Sequence, residues 1–452
     1  MRKQEKRAVV CLLLAFILFA GVALFGSRFI RDGGKWASFY GNSQIYTDGR
    51  INRGTVSDRN GEVLLECTRD GFIYNDDYET RRATVHAVGD PDGNISSGAI
   101  NVFKSQLIGY DILNGTYDTD SMGKKIRLTI DAEANVAAYE ALGGRTGLVG
   151  VYNYKTGEIL CMVSTPTFDP ADRLPDADDG EGYYFNNFLN GTLTPGSTFK
   201  LVTAAAVIDN IADRDSYSFD CDGENEYEGT DFTDVRSHGE VGFRSALAQS
   251  CNGAFGELTR EVGAKTMREY TEKAGLTEPV DVNGIITATG SFDFPEDDNI
   301  KLSWAGIGQA EDLVNPCAMM VYMGAIANEG EAVQPTLIKS ATFLREITGG
   351  KSLGRYLEKD TAAELRSMMK NNVVENYGEE NFDGIDIYAK SGTAETGGYS
   401  PDAWFVGFTD DEDAPYAFVV WVKNGGYGSE VAAPIARSVI RTLEANAESD
   451  DM

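Results

Sequence analysis

Histidine is nearly absent. Only His86 and His238 occur in 452 residues, so a Ser-His-Asp triad or a multi-histidine metal centre is poorly supplied, and a hydroxyl nucleophile in this chain needs another base. Cysteine is sparse as well. Cys11 falls in an N-terminal apolar run, and Cys67, Cys161, Cys221, Cys251 and Cys317 remain, an odd set without the C-x-x-C spacing of a zinc ribbon. We therefore expect no disulfide framework, no metal and no cofactor. Basic residues are outnumbered 40 to 70, a formal net charge of -30. This excludes nucleic acid as a natural partner, because phosphate binding needs a basic footprint; the excess acid reads as a solvated surface. Beyond residue 27 no apolar run is long enough to cross a bilayer.

What is present begins with that first run. Residues 8–27 carry no charge, and twenty helical residues cover the roughly 30 Å hydrocarbon core. Arg2, Lys3, Lys6 and Arg7 precede it, so the positive-inside rule predicts a cytoplasmic tail at 1–7, a single-pass anchor at 8–27 in the cell membrane and an extracytoplasmic remainder. A cleaved signal peptide, with Gly21 and Ala23 near a processing site, is the competing reading; both export the chain. The 42% hydrophobic and 24% charged composition is that of folded material, and the length suits two or three domains.

Residues 53–65 read as two strands about an Asn60-Gly61 turn. Further strand-like runs (125–130) and a helical run (131–142) follow, so 28–145 reads as a spacer or pedestal domain without a chemical cluster. From 146 the pattern changes. Apolar, β-prone runs at 147–152 and 158–164 form a hairpin, two more such strands lie at 403–408 and 416–422, and helical stretches (199–208, 316–328, 361–374) lie between, with a helical tail at 431–443. Strands at both ends with helices between predict an α+β domain over 146–445, an antiparallel sheet covered by helices, before an acidic tail at 446–452.

The pattern S-x-x-K arises on the order of once by chance in such a length; here it occurs three times. Ser121-Met122-Gly123-Lys124 has a glycine and no helix to hold its groups together, and Ser367-Met368-Met369-Lys370 sits mid-helix with methionines suited to a core. Both read as background. Ser197-Thr198-Phe199-Lys200 follows the break Thr194-Pro195-Gly196 and precedes an apolar helical run. A serine at a helix start with an amine three residues on can attack a carbonyl while the amine takes its proton, although Ser197 as a mere cap and Lys200 as a surface charge explain the tetrapeptide equally well. Ser250-Cys251-Asn252 supplies a second hydroxyl and an amide. Lys390-Ser391-Gly392-Thr393 reads as an edge strand whose glycine admits a ligand backbone and whose cation and hydroxyls suit a carboxylate. Lys155-Thr156-Gly157 reads as a hairpin turn.

In order, S-x-x-K, S-x-N and K-[ST]-G resemble the set shared by serine β-lactamases and penicillin-binding proteins, and the chain resembles class B penicillin-binding proteins over nearly everything after the anchor. Arg53-Gly54 with Asp58-Arg59-Asn60-Gly61 is similar to the pedestal signature. Thr156-Gly157-Glu158-Ile159-Leu160 with Ser164-Thr165-Pro166 is similar to the opening of the transpeptidase domain. The resemblance implies a peptidoglycan D,D-transpeptidase inhibited by β-lactams: Ser197 is acylated by a stem peptide, Lys200 is the base, Ser250 and Asn252 shuttle protons and position substrate, Lys390 tunes the field, and Ser391, Gly392 and Thr393 bind substrate. A second cation near Lys200 is further expected to depress its pKa. It also implies an oxyanion hole of the Ser197 and Thr393 N–H groups and a separate membrane glycan polymerase as partner. Alternatives are a β-lactamase-like hydrolase, for which no E-x-x-L-N segment is found, a β-lactam receptor, for which 1–7 leaves no room, and a non-catalytic scaffold activating the polymerase. Whether Cys251 pairs with Cys221 or stays a buried thiol is left open.

Overall fold

The structure, a computed structural model, describes residues 2–111, 116–117, 123–176, 180–227, 230–339, 349–397 and 400–450. Helix α1, Arg2–Ala37, contains the expected 8–27 span and runs on past it. Its 36 residues extend about 54 Å, and Leu12, Phe16 and Phe19 are each more than 70% exposed. Among the described residues it is the one helix long and apolar enough to cross a membrane.

The N-terminal unit is built on a four-stranded sheet. Strands β1 (Thr55–Ser57), β2 (Val63–Thr68) and β3 (Gly71–Tyr74) are joined antiparallel. Gly61 turns the first hairpin at φ 96°, and Asp58 Oδ1 accepts from the backbone N–H groups of Asn60 and Glu62. Helix α2, Tyr78–Val88, starts where the Asp77 carboxylate accepts from Thr80 N. Strand β4, Lys125–Arg127, pairs with β1 in parallel. Arg81 on α2 forks onto Asp169 at 2.8 and 2.6 Å, and His86 Nε2 lies 2.8 Å from the Tyr183 carbonyl; these contacts tie the pedestal to the second unit.

Helix α3, Ala132–Leu142, is capped by Asp131. It lies before the expected 145/146 boundary and packs on both units, against α2 and, through Ala134, Ala138 and Leu142, in one apolar cluster with Val149, Val163 and Ile440. Strands β5 (Gly147–Asn153) and β6 (Ile159–Thr165) form the expected hairpin, turned at Gly157 with φ 80°. Helix α4 (Lys200–Asn210), strands β7 (Phe219–Cys221), β8 (Thr230–Thr233) and β9 (Gly239–Val241), and helices α5 (Asn252–Lys273), α6 (Pro316–Ala327) and α7 (Lys359–Asn372) follow. Strands β10 (Ile387–Ala394), β11 (Asp402–Thr409) and β12 (Tyr416–Val422) then complete one antiparallel sheet of order β6-β5-β12-β11-β10.

Both faces of that sheet are covered, which is why its strands read as unbroken apolar runs rather than alternating ones. Val149, Val420 and Phe405 face α3 and the last helix α8, Gly428–Asp450; Trp404, Val406 and Val419 pack in the other core with Tyr322 and Met323 of α6. All twelve residues of α6 are buried. The expected tail at 446–452 is no separate element through residue 450: α8 continues, and Asn446 Nδ2 donates to Asp131 Oδ1. Strand β10 is the edge, as the K-S-G-T reading requires.

Candidate active site

Ser197 lies in a 3-10 turn, Gly196–Thr198, that runs into α4 at Lys200. Apolar residues at almost every position of α4 sink this helix into the core and carry the lysine with it: Lys200 is 0% exposed. Its Nζ donates to the Ser250 carbonyl at 2.5 Å and to Asn252 Oδ1 at 2.8 Å, and stands 3.4 Å from Ser250 Oγ. Ser250 is held at φ 58°, a left-handed conformation that costs a non-glycine residue of order 1 kcal/mol and marks a constrained turn. Asn252 begins α5 directly after it.

Lys390, on β10, is also 0% exposed, and its Nζ donates to the same Ser250 Oγ at 2.9 Å and to the Ser391 carbonyl at 2.9 Å. One hydroxyl thus sits between two buried amines. Burial lowers Lys200 from 10.5 to about 8, against the opposing charge of Asp234. Burial lowers Lys390 well below its ordinary value, with the Lys200 charge as the second cause. Both amines are thus lowered first by burial, and the two cations, sharing one hydroxyl, disfavour each other's charge.

Ser197, Ser250, Asn252, Ser391 and Thr393 all line one cleft of about 490 Å³. Because β10 is the sheet edge, alternate backbone groups face the cleft instead of β11. Ser391 N donates to the Tyr377 hydroxyl at 2.8 Å, which shows the open side, and Thr393, two residues on, exposes its groups on that same side; its carbonyl lies 3.5 Å from Gln309 Nε2. Gly392 is a close approach: a Cβ there would stand 2.8 Å from Thr198 Cγ2 and 3.1 Å from the Pro195 carbonyl. Every predicted site residue is thus in or against one groove.

The other motif copies are elsewhere. Ser367 accepts from Arg244, Lys370 pairs with Glu379 and Asp386, and Met368 and Met369 are core. Ser121 and Met122 lie outside the described residues. Lys155-Thr156-Gly157 is the β5–β6 turn. Sequence reasoning missed Tyr377, whose hydroxyl also donates to Ser391 Oγ at 2.9 Å, and Asp234, whose Oδ2 accepts from Asn252 N at 2.5 Å. Neither belongs to a motif, and only the fold brings them in. All six cysteines are free thiols, so Cys251 does not pair with Cys221.

The chain matches the family described as penicillin binding protein transpeptidase domain over residues 147–441. It is 26% identical to the peptidoglycan D,D-transpeptidase PbpA of Mycolicibacterium smegmatis, over 97% of this chain and 98% of that one. It is 28% identical to PbpA of Mycobacterium tuberculosis, over 75% and 77%, and 27% identical to stage V sporulation protein D of Bacillus subtilis, over 72% and 54%. Among solved structures it is similar to the D,D-transpeptidase domain of a peptidoglycan glycosyltransferase from Eggerthella lenta, with a TM-score of 0.73 at 24% identity over 88% of this chain and 99% of that one. It is also similar to penicillin-binding protein A from M. tuberculosis as a penicillin G acyl-enzyme complex, with a TM-score of 0.71 at 24% identity over 87% and 99%. At that identity the structures speak for the fold, a transpeptidase unit with its antiparallel sheet between helices. The family match spans well over half of the chain and contains the three motifs that meet in the cleft; the chain belongs to the penicillin-binding protein transpeptidase family.

Proposed function

We propose that this chain is a class B, monofunctional peptidoglycan D,D-transpeptidase, anchored by α1 with its catalytic unit outside the cytoplasm, and that it cross-links stem peptides through an acyl-enzyme on Ser197. The observation that carries the reading is the Ser250 hydroxyl held between two buried amines on a wall shared with Ser197. An amine lowered to about 8 is a competent general base near neutral pH, where a solvated lysine is not.

In the proposed reaction the donor stem lies along the open edge of β10, its terminal carboxylate toward Ser391 and Thr393. Ser197 Oγ attacks the D-Ala-D-Ala carbonyl carbon as neutral Lys200 takes the hydroxyl proton. The oxyanion rests on the N–H groups of Ser197 and Thr393, a type of stabilisation worth about 10²–10³ in rate. Collapse breaks the C–N bond; the proton passes from Lys200 through Ser250 to the departing amine, and D-Ala leaves. A second stem's amine then attacks the Ser197 ester, loses its proton by the reverse relay and regenerates the serine. Penicillins enter by the same first step, and their ring-opened acyl group stays on Ser197. A separate membrane glycan polymerase supplies the strands to be joined.

Intact-protein mass spectrometry after penicillin treatment, with peptide mapping of the adduct, tests this. One stable adduct on Ser197, absent from Ser197→Ala, is expected. An adduct on another side chain, or fast nitrocefin turnover without a stable adduct, would sink it.

A further inference from the structure

Behind the Ser250 turn lies a cluster of donors that catalysis as proposed leaves unused. Cys221 ends β7, Asp234 follows β8, His238 precedes β9, and Cys251 is the residue between Ser250 and Asn252. The spacing is C-x12-D-x3-H-x12-C, which a search for C-x-x-C passes over. One ligand atom from each of the four lies within 4.8 Å of all the others.

The distances have metal-site values. Cys221 Sγ is 3.4 Å from His238 Nδ1 and 3.7 Å from Asp234 Oδ2, and His238 Nδ1 is 3.6 Å from Asp234 Oδ2. A tetrahedral zinc with bonds of about 2.0–2.3 Å separates its ligand atoms by roughly 3.3–3.8 Å, so three edges already fit. Both cysteines are 0% exposed, and the His238 and Asp234 side chains are 3% and 1% exposed. Two thiols, an imidazole and a carboxylate, with Asp234 and His238 at the wall of the catalytic cleft, form a zinc-selective set of four ligands with no open position, which points to a structural ion rather than a catalytic one.

We propose that Cys221, Asp234, His238 and Cys251 bind one zinc ion, and that the ion fixes the Ser250-Cys251-Asn252 turn from behind. The second half rests on the transpeptidase reading; the first does not. Asp234 Oδ2 accepts from the N–H groups of Asn252 and Gly253 at 2.5 and 3.3 Å, and Cys251 Sγ accepts from Ala254 N at 3.5 Å, capping α5. Two of the four ligands therefore grip the turn that Lys200 reaches through the Ser250 carbonyl and Asn252 Oδ1. Binding releases the two thiol protons to solvent, and two thiolates and a carboxylate around a divalent ion leave one net negative charge behind the Lys200 acceptors.

Full-length protein purified in detergent without chelators is analysed by plasma mass spectrometry, and chelator-stripped protein is reloaded with cobalt and then with zinc salts. About one zinc per chain is expected, lost in Cys251→Ser and His238→Ala. In case those variants fail to fold, the native chain must show cobalt–thiolate charge-transfer and tetrahedral d–d bands that zinc abolishes. Stripping should slow penicillin acylation about tenfold or more, reversed by zinc, as loss of ligand-supporting contacts elsewhere does. Metal-free protein with no cobalt spectrum, or a Cys221–Cys251 disulfide read as a two-dalton loss, overturns the site. Bound zinc whose removal leaves acylation unchanged overturns the link to the turn. Zinc-loaded protein that penicillin never labels overturns the transpeptidase reading and leaves the site standing.

Discussion

The rate of penicillin acylation against pH tests the base. Burial lowers Lys200 from 10.5 to about 8. At pH 7 about one chain in eleven then carries the neutral amine, against roughly one in 3000 for an unperturbed lysine, a ~300-fold gain in active base. The sign follows from the chemistry: lysine loses its charge as pH rises through its pKa, and only the neutral amine accepts a proton, so acylation is gained on the alkaline side. The second-order rate should climb about tenfold per unit below pH 7, pass half-maximum near 8 and level off above 9. Quenched-flow labelling with fluorescent penicillin, corrected for hydroxide hydrolysis of the drug, reads it. Lys390→Met, which removes the second amine from the Ser250 hydroxyl, should lower the plateau. Lys200→Arg, which keeps a charge and never yields a proton, should cost about 10²–10⁴ in rate, the usual worth of a general base. A profile flat from pH 6 to 9 refutes Lys200 as the limiting base, and a midpoint near 10 refutes its lowering by burial.

Three further outcomes follow from the packing. Gly392→Val must push β10 off the Ser197 turn, because its Cβ meets Thr198 Cγ2 and the Pro195 carbonyl; acylation should fall about 100-fold, the effect of a misplacement near 1 Å, and a rate within twofold of wild type would contradict the geometry. Tyr377→Phe leaves the Ser391 N–H and hydroxyl without their partner, so the acylation rate should drop about tenfold, roughly one lost hydrogen bond, while the pH midpoint stays in place; gel labelling over a penicillin series decides it. Asp312 is fully buried with Oδ2 unpartnered, and burial raises it from 3.8 to about 8. The folded chain holds that proton when the unfolded chain has released it, so stability is full below pH 4 and is lost as pH rises to about 8; Asp312→Asn should abolish that slope in thermal melts, and an unchanged slope would assign it elsewhere.

Much of this architecture was legible because its physics is local or periodic. Four of the five strands of the sheet are apolar on both faces, a pattern that needs two covering layers, and α6 is apolar all round, a pattern that needs a core. The motif order was legible too, since Ser197, Ser250 and Lys390 sit at a helix start, a loop and an edge strand. Helix α2 was not: its Tyr-Glu-Thr-Arg-Arg-Ala-Thr-Val-His segment has β-branched and charged residues where a clean stripe is sought, and the Asp77 cap with packing against the second unit decides it. The reach of α1 past residue 27 was hidden by charges, Arg31 beside Asp32 among them, that an exposed helix end accommodates. The depth of Lys390 was not legible, because sequence places a lysine at the surface and only the fold buries it. Tyr377 and Asp234 carry no pattern of their own; long-range packing alone makes them neighbours of Ser391 and Asn252.

What the fold contributes to the chemistry is close backbone approach. Gly196 N donates to the Gly308 carbonyl at 2.8 Å, and a Cβ on Gly196 would fall 2.6 Å from the Thr393 carbonyl oxygen. Side chains are thereby excluded where the Ser197 turn, the Gly308 loop and the β10 edge meet, which brings backbone from distant parts of the chain into contact beside Ser197. A site of this kind has little internal stability: two lysines are stripped of water and Ser250 is held at φ 58°, each unfavourable alone. The two apolar cores on either face of the sheet must offset that cost, since they hold α4 and β10 in register whatever the lysines prefer. Replacing either buried amine by an apolar side chain of similar length should therefore leave the fold intact while removing the chemistry, which separates this arrangement from one in which the lysines hold the structure together.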